Sequence, residues 1–323
     1  MNVDTILGDR NTRYFGVGYK NANYEIITLD QEESEAMVKV NFGDEVCSIK
    51  QGEARSPHLS TLDSVIISAM IVEQLLGPEK SADYYVSHFD IRAGGEPVEL
   101  SKALKVDFTQ NGNNFHFNIL GMKINLSIRL GNHISHSDLG HESFLTQHLK
   151  QSELTIDGID YLDQTSMAAV AVKQAEGNNY AGLGSKTNDN GFSIFEWLII
   201  FSQIGEMLTY QLDNLDRDDC ANLWMRRISA DYQDRVVNKK QLQRSRVIGE
   251  VLKSRVIDKD HHHWRTLTAH GSDINNQVYF SAQMAHELPQ KMEGSSNEPS
   301  RTYSISNFGN LFYGVYDHDA AFI

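Results

Sequence analysis

The chain has 323 residues, with 40% hydrophobic and 22% charged, so it can bury a substantial core and lacks the composition of a disordered protein. Its formal net charge is −14, and it shows no basic face for a phosphate backbone, which excludes nucleic acid and acidic lipid surfaces as expected partners. The N-terminus lacks the basic and apolar regions of a signal peptide, so we expect a cytoplasmic protein.

The first half of the chain, residues 1–130, is predicted to place several strands around one helix. Residues 14–29 and 36–42 have the alternation and β-branched content of strands. The helix is predicted from Ser60 to Leu76, where Gly77-Pro78 ends it. Further strands are predicted at 84–92, 104–109, 114–120 and 122–130.

Residues 131–156 are polar and histidine-rich, so we predict a linker with a short helix over 142–149. The second half, 157–289, is predicted to contain a helix from Ser193 to Leu212 and strands at 167–173, 223–232, 245–257, 264–270 and 277–286. Acidic side chains within that helix are costly in lipid, so we expect a buried helix and no membrane span. A C-terminal tail occupies 290–323.

The two long helices match each other at a constant offset of 133 residues. Their opening serines, three isoleucines, a glutamate and a leucine are identical at that offset, and Asp63 corresponds to Glu196, which favours an internal duplication. Both helices are apolar nearly all round, so each must be surrounded. We therefore predict an α+β double hotdog, with two curved antiparallel sheets that each wrap a long central helix.

The start of the first helix is the main candidate site. His58 stands just before it, and Asp63 lies in its first turn. A helix N-terminus can polarise a thioester or ketone oxygen, and an imidazole can move protons near neutral pH. We take His58, Asp63 and Glu196 as candidate catalytic residues. Ser60 and Thr61 are candidate substrate-binding residues.

A structural interpretation competes with this one. The spacing from Ser60 to Asp63, and from Ser193 to Glu196, is that of a capping box, in which the acid binds the backbone at the start of the helix. His58 is equally compatible with an ordinary loop histidine. Because only His58 immediately precedes one of the two helices, we expect the proton-transfer histidine in the first half.

Two further groups of polar residues are less specific. Glu73 and Glu206 occupy equivalent positions in the two helices, and we interpret them as hydrogen-bonded helix acids. Trp224 and Arg226 alternate along a predicted strand and are candidate substrate-binding residues for a phosphate or carboxylate. A cross-strand salt bridge is the alternative for this segment.

The chain lacks the motifs of several cofactor and metal enzymes. It contains no phosphate-binding loop, dinucleotide fingerprint, serine-hydrolase elbow or zinc-protease motif. The histidines have no tight chelating spacing with cysteine. We therefore expect no metal and no cofactor.

Four segments resemble the avirulence D family of bacterial proteins, in an order and overall length that also fit, over residues 10 to 290. The segments are RYFGVGYK from Arg13, PHLSTLD from Pro57, FDIRAG from Phe89 and NLWMRR from Asn222. The chain departs from an even duplication because no histidine stands just before Ser193, and residues 291–323 match nothing.

The resemblance implies synthesis of syringolide-type molecules. In such a reaction a β-ketoacyl thioester, carried by an acyl carrier protein or coenzyme A, is joined to a small ketose such as xylulose. The product is an acyl-sugar lactone that acts as a signal or elicitor. A homodimer remains open.

Two other functions stay open. A hotdog dehydratase or thioesterase would act on acyl thioesters without a sugar acceptor. A binding protein would hold a hydrophobic small molecule without turnover.

Overall fold

The computed structural model describes residues 1–42, 48–131, 142–174, 180–184, 191–220, 223–233, 243–259 and 262–289. Residues 1–290 form one compact unit. The predicted tail, 290–323, lies outside the described residues.

The elements follow the predicted order closely. The first half contains α1 (Val3–Leu7), β1 (Asn23–Asp30), β2 (Glu35–Asn41), β3 (Ile49–Lys50), β4 (Glu53–Ala54), α2 (Thr61–Leu76), α3 (Pro78–Ser81), β5 (Tyr84–Arg92), β6 (Leu104–Asn111), β7 (Asn114–Ile119) and β8 (Met122–Leu130). The second half contains β9 (Glu142–Ser143), a π-helical turn (Phe144–His148), α4 (Leu149–Gln151), β10 (Glu153–Tyr161), β11 (Ser166–Gln174), β12 (Tyr180–Ala181), α5 (Ile194–Asp213), β13 (Leu223–Tyr232), β14 (Arg244–Lys259), β15 (His262–Asp273) and β16 (Val278–Glu287).

Twelve strands form one antiparallel sheet, in the order β1-β2-β6-β7-β8-β5-β13-β16-β15-β14-β11-β10. Each half contributes six strands, and the order in the second half mirrors that in the first. The predicted mostly antiparallel architecture is confirmed. The two predicted sheets, however, are continuous: β5 pairs with β13, with Phe89 opposite Ala230. This pairing satisfies the backbone groups of two strands that would otherwise be exposed edges.

The two long helices are the most deeply buried elements, because their apolar surface leaves no face for water. Every residue of α2 from Thr61 to Ala69 is buried, and so is every residue of α5 from Ile194 to Gly205. The helix α5 lies close to the sheet: a Cβ added at Gly249 on β14 would stand 2.5 Å from Ile204.

The predicted linker contains the short helical segment expected over 142–149, and more ordered structure than the sequence pattern indicated. Phe144, Leu145 and Leu149 are buried in the core, and β10 already begins at Glu153. The polar residues around them hide this short apolar set. Residues 132–141 lie outside the described residues, and the division of the chain at 130 and 157 stays a prediction.

Candidate active site

Both long helices begin with a capping box. Ser60 Oγ accepts a hydrogen bond from the Asp63 amide at 3.0 Å, and Asp63 Oδ2 accepts one from the Ser60 amide at 2.9 Å. Ser193 and Glu196 repeat this arrangement at 3.3 and 2.7 Å. Both carboxylates are 0% exposed. The capping interpretation therefore holds at both helices, and it places two buried acids at equivalent positions.

The first acid is surrounded by hydroxyl groups. Asp63 Oδ1 accepts hydrogen bonds from the hydroxyls of Tyr14 at 2.8 Å and Tyr24 at 2.6 Å. Burial, and then the neighbouring carboxylate, raise the pKa of Tyr24 well above its ordinary value, so this hydroxyl remains a donor. We call Tyr14, Tyr24, Ser60 and Asp63 the Asp63 cluster.

The second acid has cationic partners instead. Glu196 Oε2 lies 3.0 Å from Lys173 Nζ, and Glu196 Oε1 lies 3.2 Å from His148 Nε2. Lys173 Nζ is also 2.8 Å from His148 Nε2 and donates to the Gly191 carbonyl at 2.6 Å. We call Glu196, His148 and Lys173 the Glu196 cluster. Its three side chains are all at least 95% buried.

The electrostatics of the Glu196 cluster favour an ionised acid. Burial opposes ionisation of Glu196, but Lys173, His148 and the Ser193 amide outweigh it and hold the pKa of the carboxyl well below its ordinary value. Burial lowers the pKa of Lys173, and Glu196 offsets part of that change. Because perturbed, mutually dependent ionisable groups are enriched at functional sites, this cluster is the stronger candidate of the two.

The short contact with Lys173 favours the tautomer of His148 that has its proton on Nδ1. A 2.8 Å contact between Lys173 Nζ and His148 Nε2 accommodates one proton between the two nitrogens. A buried carboxylate at Glu196 requires one positive charge on this pair. If the lysine carries it and donates, His148 Nε2 is the acceptor and the imidazole proton is on Nδ1. If the imidazole carries it, both of its nitrogens are protonated. In both of these arrangements Nδ1 bears a hydrogen, whereas a neutral ring that donated from Nε2 to Glu196 Oε1 would set two donors, Lys173 Nζ and Nε2, against each other at 2.8 Å.

This Nδ1–H group is a buried donor without a hydrogen-bond partner among the described residues. The ring of His148 stacks on Phe144, with centroids 4.6 Å apart, and meets the edge of Tyr180 at 4.9 Å. An unpaired buried donor is costly unless a ligand satisfies it. The group is therefore suited to donate to a carbonyl oxygen or an oxyanion.

The segment 180–184 connects this cluster to an acid of the first half. Glu73 Oε1, on α2, accepts a hydrogen bond from the Leu183 amide at 2.5 Å. Burial, only partly offset by that bond, raises the pKa of Glu73 to about 7. Gly182 adopts φ +92° against the carboxylate, where any side chain would overlap it. Tyr180 contacts His148 and is three residues from Leu183, which is at most about 11 Å of extended chain.

The residues singled out in the sequence fall into separate places. His58 is exposed, and its ring lies 6.1 Å from that of Trp224. This contact joins a residue of the first half to one of the second. The described contacts of the Asp63 carboxylate do not include His58. Thr61 is buried at the start of α2.

Arg226 is exposed and donates to the Gly94 carbonyl at 3.1 Å. The cross-strand salt bridge considered for this segment is made by its neighbour: Arg227 binds Asp90 through two nitrogens. Arg226 thus keeps part of its guanidinium available for a ligand.

Three members of the candidate site were not identified from the sequence. His148 was assigned to the linker, and Glu73 was interpreted as a structural acid. Lys173 carried a usable signal, because it continues the alternation of Met167 and Ala171 on the buried face of β11. A lysine on such a face requires a buried partner.

Among the described residues, no group of three or more histidine, cysteine or acidic side chains is arranged to hold a metal ion. No helix in the described ranges is both long and apolar enough to cross a membrane.

Comparison with known proteins gave one family and several distant structures. The model of the family described as Pseudomonas avirulence D protein (AvrD) matches residues 1–114 and 130–289. The comparison with curated proteins gave no match.

The similar solved structures include a tesB protein of Mycobacterium avium subspecies paratuberculosis, with 10% identity, a TM-score of 0.44 and coverage of 83% of this chain and 96% of that one. A putative thioesterase from Novosphingobium aromaticivorans has 10% identity, a TM-score of 0.42 and coverage of 80% and 97%. The dehydratase domain of PpsC from Mycobacterium tuberculosis has 12% identity, a TM-score of 0.36 and coverage of 74% and 86%. Because these TM-scores stay below 0.5, no functional assignment is based on them.

Proposed function

The chain belongs to the avirulence D family, and we propose that it is an enzyme that transfers a β-ketoacyl group from a thioester to a hydroxyl group of a small, xylulose-like ketose. The acyl carrier is coenzyme A or an acyl carrier protein, and the product leads to a syringolide-type lactone. The family is the reason for proposing a sugar as the acyl acceptor. The observation that carries the chemistry is the unpaired His148 Nδ1–H in the buried Glu196 cluster.

In this proposal His148 donates a hydrogen bond to the thioester carbonyl oxygen. Charge that develops on that oxygen during attack is then stabilised by a donor already in place. Glu196 and Lys173 do not touch the substrate. They position the imidazole and keep its proton on Nδ1.

Glu73 is the proton carrier of the proposal. Its pKa of about 7 is suited to exchanging protons at neutral pH. It accepts the proton of the sugar hydroxyl as the oxygen attacks the carbonyl carbon. The carbon–sulfur bond then breaks, and Glu73 returns the proton to the leaving thiolate. The same carboxylate can remove the acidic proton between the two carbonyls before ring closure.

This assignment takes each half as one hotdog unit with α2 or α5 as its central helix, and it builds the site from both halves. The apolar surfaces of α2 and α5 give a reason to expect an acyl chain in the substrate. His58, with Trp224 beside it, stays a second candidate for proton transfer, and Trp224 and Arg226 stay candidates for substrate binding. Asp63, Ser60 and Thr61 would then act at the first helix.

The test uses purified protein, a β-ketoacyl thioester and xylulose, with thiol release and the acyl-sugar product both measured. His148→Phe keeps an aromatic ring between Phe144 and Tyr180 but removes the donor. It should lower kcat by about 100- to 1,000-fold while the protein stays folded. His58→Ala is the matched control at the other histidine. If His58→Ala abolishes product and His148→Phe does not, the site is at His58.

The alternative functions give different results in the same assay. Thiol release that does not depend on the ketose would indicate a thioesterase. Loss of water from a 3-hydroxyacyl thioester would indicate a dehydratase. Tight binding of thioesters without turnover, with or without the ketose, would indicate a binding protein.

A further inference from the structure

Three cationic side chains gather around Glu206, the counterpart of Glu73 at the offset of 133 residues. Arg217 Nε lies 3.5 Å from Glu206 Oε1, which also accepts a hydrogen bond from the Tyr210 hydroxyl at 3.0 Å. Lys50 Nζ in turn donates to the Tyr210 hydroxyl at 3.4 Å. Glu206 therefore meets one cation directly and a second through the Tyr210 hydroxyl, whereas the carboxylate of Glu73 meets a backbone amide.

Arg13 belongs to the same group. Its Nη1 donates to Gln203 Oε1, one turn before Glu206 on α5, at 2.7 Å. Its other terminal nitrogen pairs with Asp4. The charges of Glu206 and Arg217 both act on Arg13. We call Arg13, Lys50, Arg217, Glu206 and Tyr210 the Glu206 cluster.

Two cations of this cluster, Lys50 and Arg13, are buried but incompletely paired. Lys50 is 9% exposed, and its one hydrogen bond among the described residues is the long contact to Tyr210. Arg13 is 2% exposed, and its Nε has no hydrogen-bond partner in the described part of the chain. Burial lowers the pKa of both groups. Such donors are costly to bury unless a ligand binds them.

The balance of charges in the cluster indicates that such a ligand is an anion. The three cations face two carboxylates, Glu206 and Asp4, and Asp4 lies toward the surface with 39% of its side chain exposed. This leaves an excess of positive charge inside a protein whose net charge is −14. Lys50 has two N–H groups and Arg13 has its Nε–H without a partner among the described residues, and the two residues come from separate segments, so together they can reach more oxygens than the two of a carboxylate.

We propose that the Glu206 cluster binds a phosphoryl group of a ligand, with Lys50 and Arg13 as its donors and with Arg217, whose nitrogens already bond to Glu206, Ile49 and Thr12, contributing its charge. The two pseudo-equivalent regions would then differ in role. The region of Glu73 and the Glu196 cluster carries the proposed chemistry, and the Glu206 cluster holds a phosphorylated part of a substrate.

The direct test is binding of inorganic phosphate to the full-length protein. Its thermal midpoint should be about 5 °C higher in sodium phosphate than in sodium chloride of equal ionic strength. Lys50→Met should abolish that rise. Lys105→Met, at an exposed lysine paired with Glu35, should retain it. If Lys50→Met is not folded by circular dichroism, Arg217→Gln replaces it.

No phosphate-specific rise in the wild type, or a rise that Lys50→Met retains, would overturn the site. Loss of the rise in Lys105→Met as well would indicate a general salt effect and would also overturn it. These measurements need no turnover, so they stand or fall separately from the proposed function.

Steady-state kinetics identify which substrate carries the phosphoryl group. This experiment rests on the proposed function. If the donor carries it, Lys50→Met should raise KM about tenfold for a coenzyme A thioester and leave KM for the phosphate-free pantetheine thioester unchanged. If the acceptor carries it, the same selective change should appear for a ketose phosphate against the free ketose. Unchanged KM for all four substrates would exclude a role in substrate binding.

Discussion

Lys173→Met is the most informative single change in the Glu196 cluster. It removes the ammonium that lies 3.0 Å from Glu196 Oε2 and 2.8 Å from His148 Nε2, and it puts an apolar side chain of similar length in its place. Glu196 is 0% exposed, so its carboxylate cannot recover solvation from water.

The loss of stability should be large. Removing one partner of a buried ion pair typically costs about 3–5 kcal/mol. His148 Nε2 remains 3.2 Å from the carboxylate, and the Ser193 amide still donates to it. We therefore expect about 3 kcal/mol at pH 8.

The pKa of Glu196 determines at which pH the variant should lose most stability. In the wild type the pKa of Glu196 is depressed, so its contribution is present above the ordinary carboxyl range and is lost only as pH falls through the depressed value. In Lys173→Met burial is opposed by fewer charges, so the pKa of Glu196 rises. The variant should then be most destabilised at pH 8, and the difference from the wild type should shrink toward pH 4.5.

Urea unfolding at pH 8, 6 and 4.5 measures this difference. Lys105→Met is the control and should change little at any pH. The double variant Lys173→Met/Glu196→Gln removes both charges and should recover part of the lost stability. A loss below about 1 kcal/mol at pH 8, or an equal loss at all three pH values, would refute the electrostatic account of this cluster.

Three other changes follow from the same contacts. The folded-state pKa of Glu73 is about 7 against an ordinary 4.5, so its ionised form opposes folding. In urea unfolding, the free energy of unfolding of Glu73→Gln should exceed that of the wild type by an amount that grows between pH 5 and 8 to about 3 kcal/mol. Asp213 is buried, but His286 and Arg265 lower its pKa, so Asp213→Asn should lose about 3 kcal/mol at pH 7 in the same assay, and less below pH 4. His58→Ala, at an exposed position, should leave the melting temperature nearly unchanged in calorimetry; a marked drop would mean that its contact with Trp224 is structural.

Much of the secondary structure was predictable, because its signals are local. The predicted strand over 223–232 coincides with β13, and the predicted helix from Ser60 to Leu76 differs from α2 by one residue. Period-two alternation, apolar runs and the Gly77-Pro78 stop all act within a few residues. The two capping boxes were predictable for the same reason, since their partners are three residues apart.

The composition of the candidate site could not be predicted in this way. Lys173 and Glu196 are 23 residues apart, and Leu183 is 110 residues from Glu73. A linker histidine and two scattered charged residues have no distinctive spacing, and the sequence pointed to His58, which stays a second candidate.

The sequence by itself determined the antiparallel strands, the two buried helices, the acids at their starts and the family. Local periodicity and capping specify the strands, the helices and the acids without reference to distant residues, and four short motifs indicate the family. The tertiary structure alone decided that the halves share one sheet and that Glu196 meets Lys173 and His148 in a buried space. The physical reason is that strand pairing and helix packing bring these groups together and exclude water. The ionisation of each group then depends on its neighbours in space and not on its neighbours along the chain.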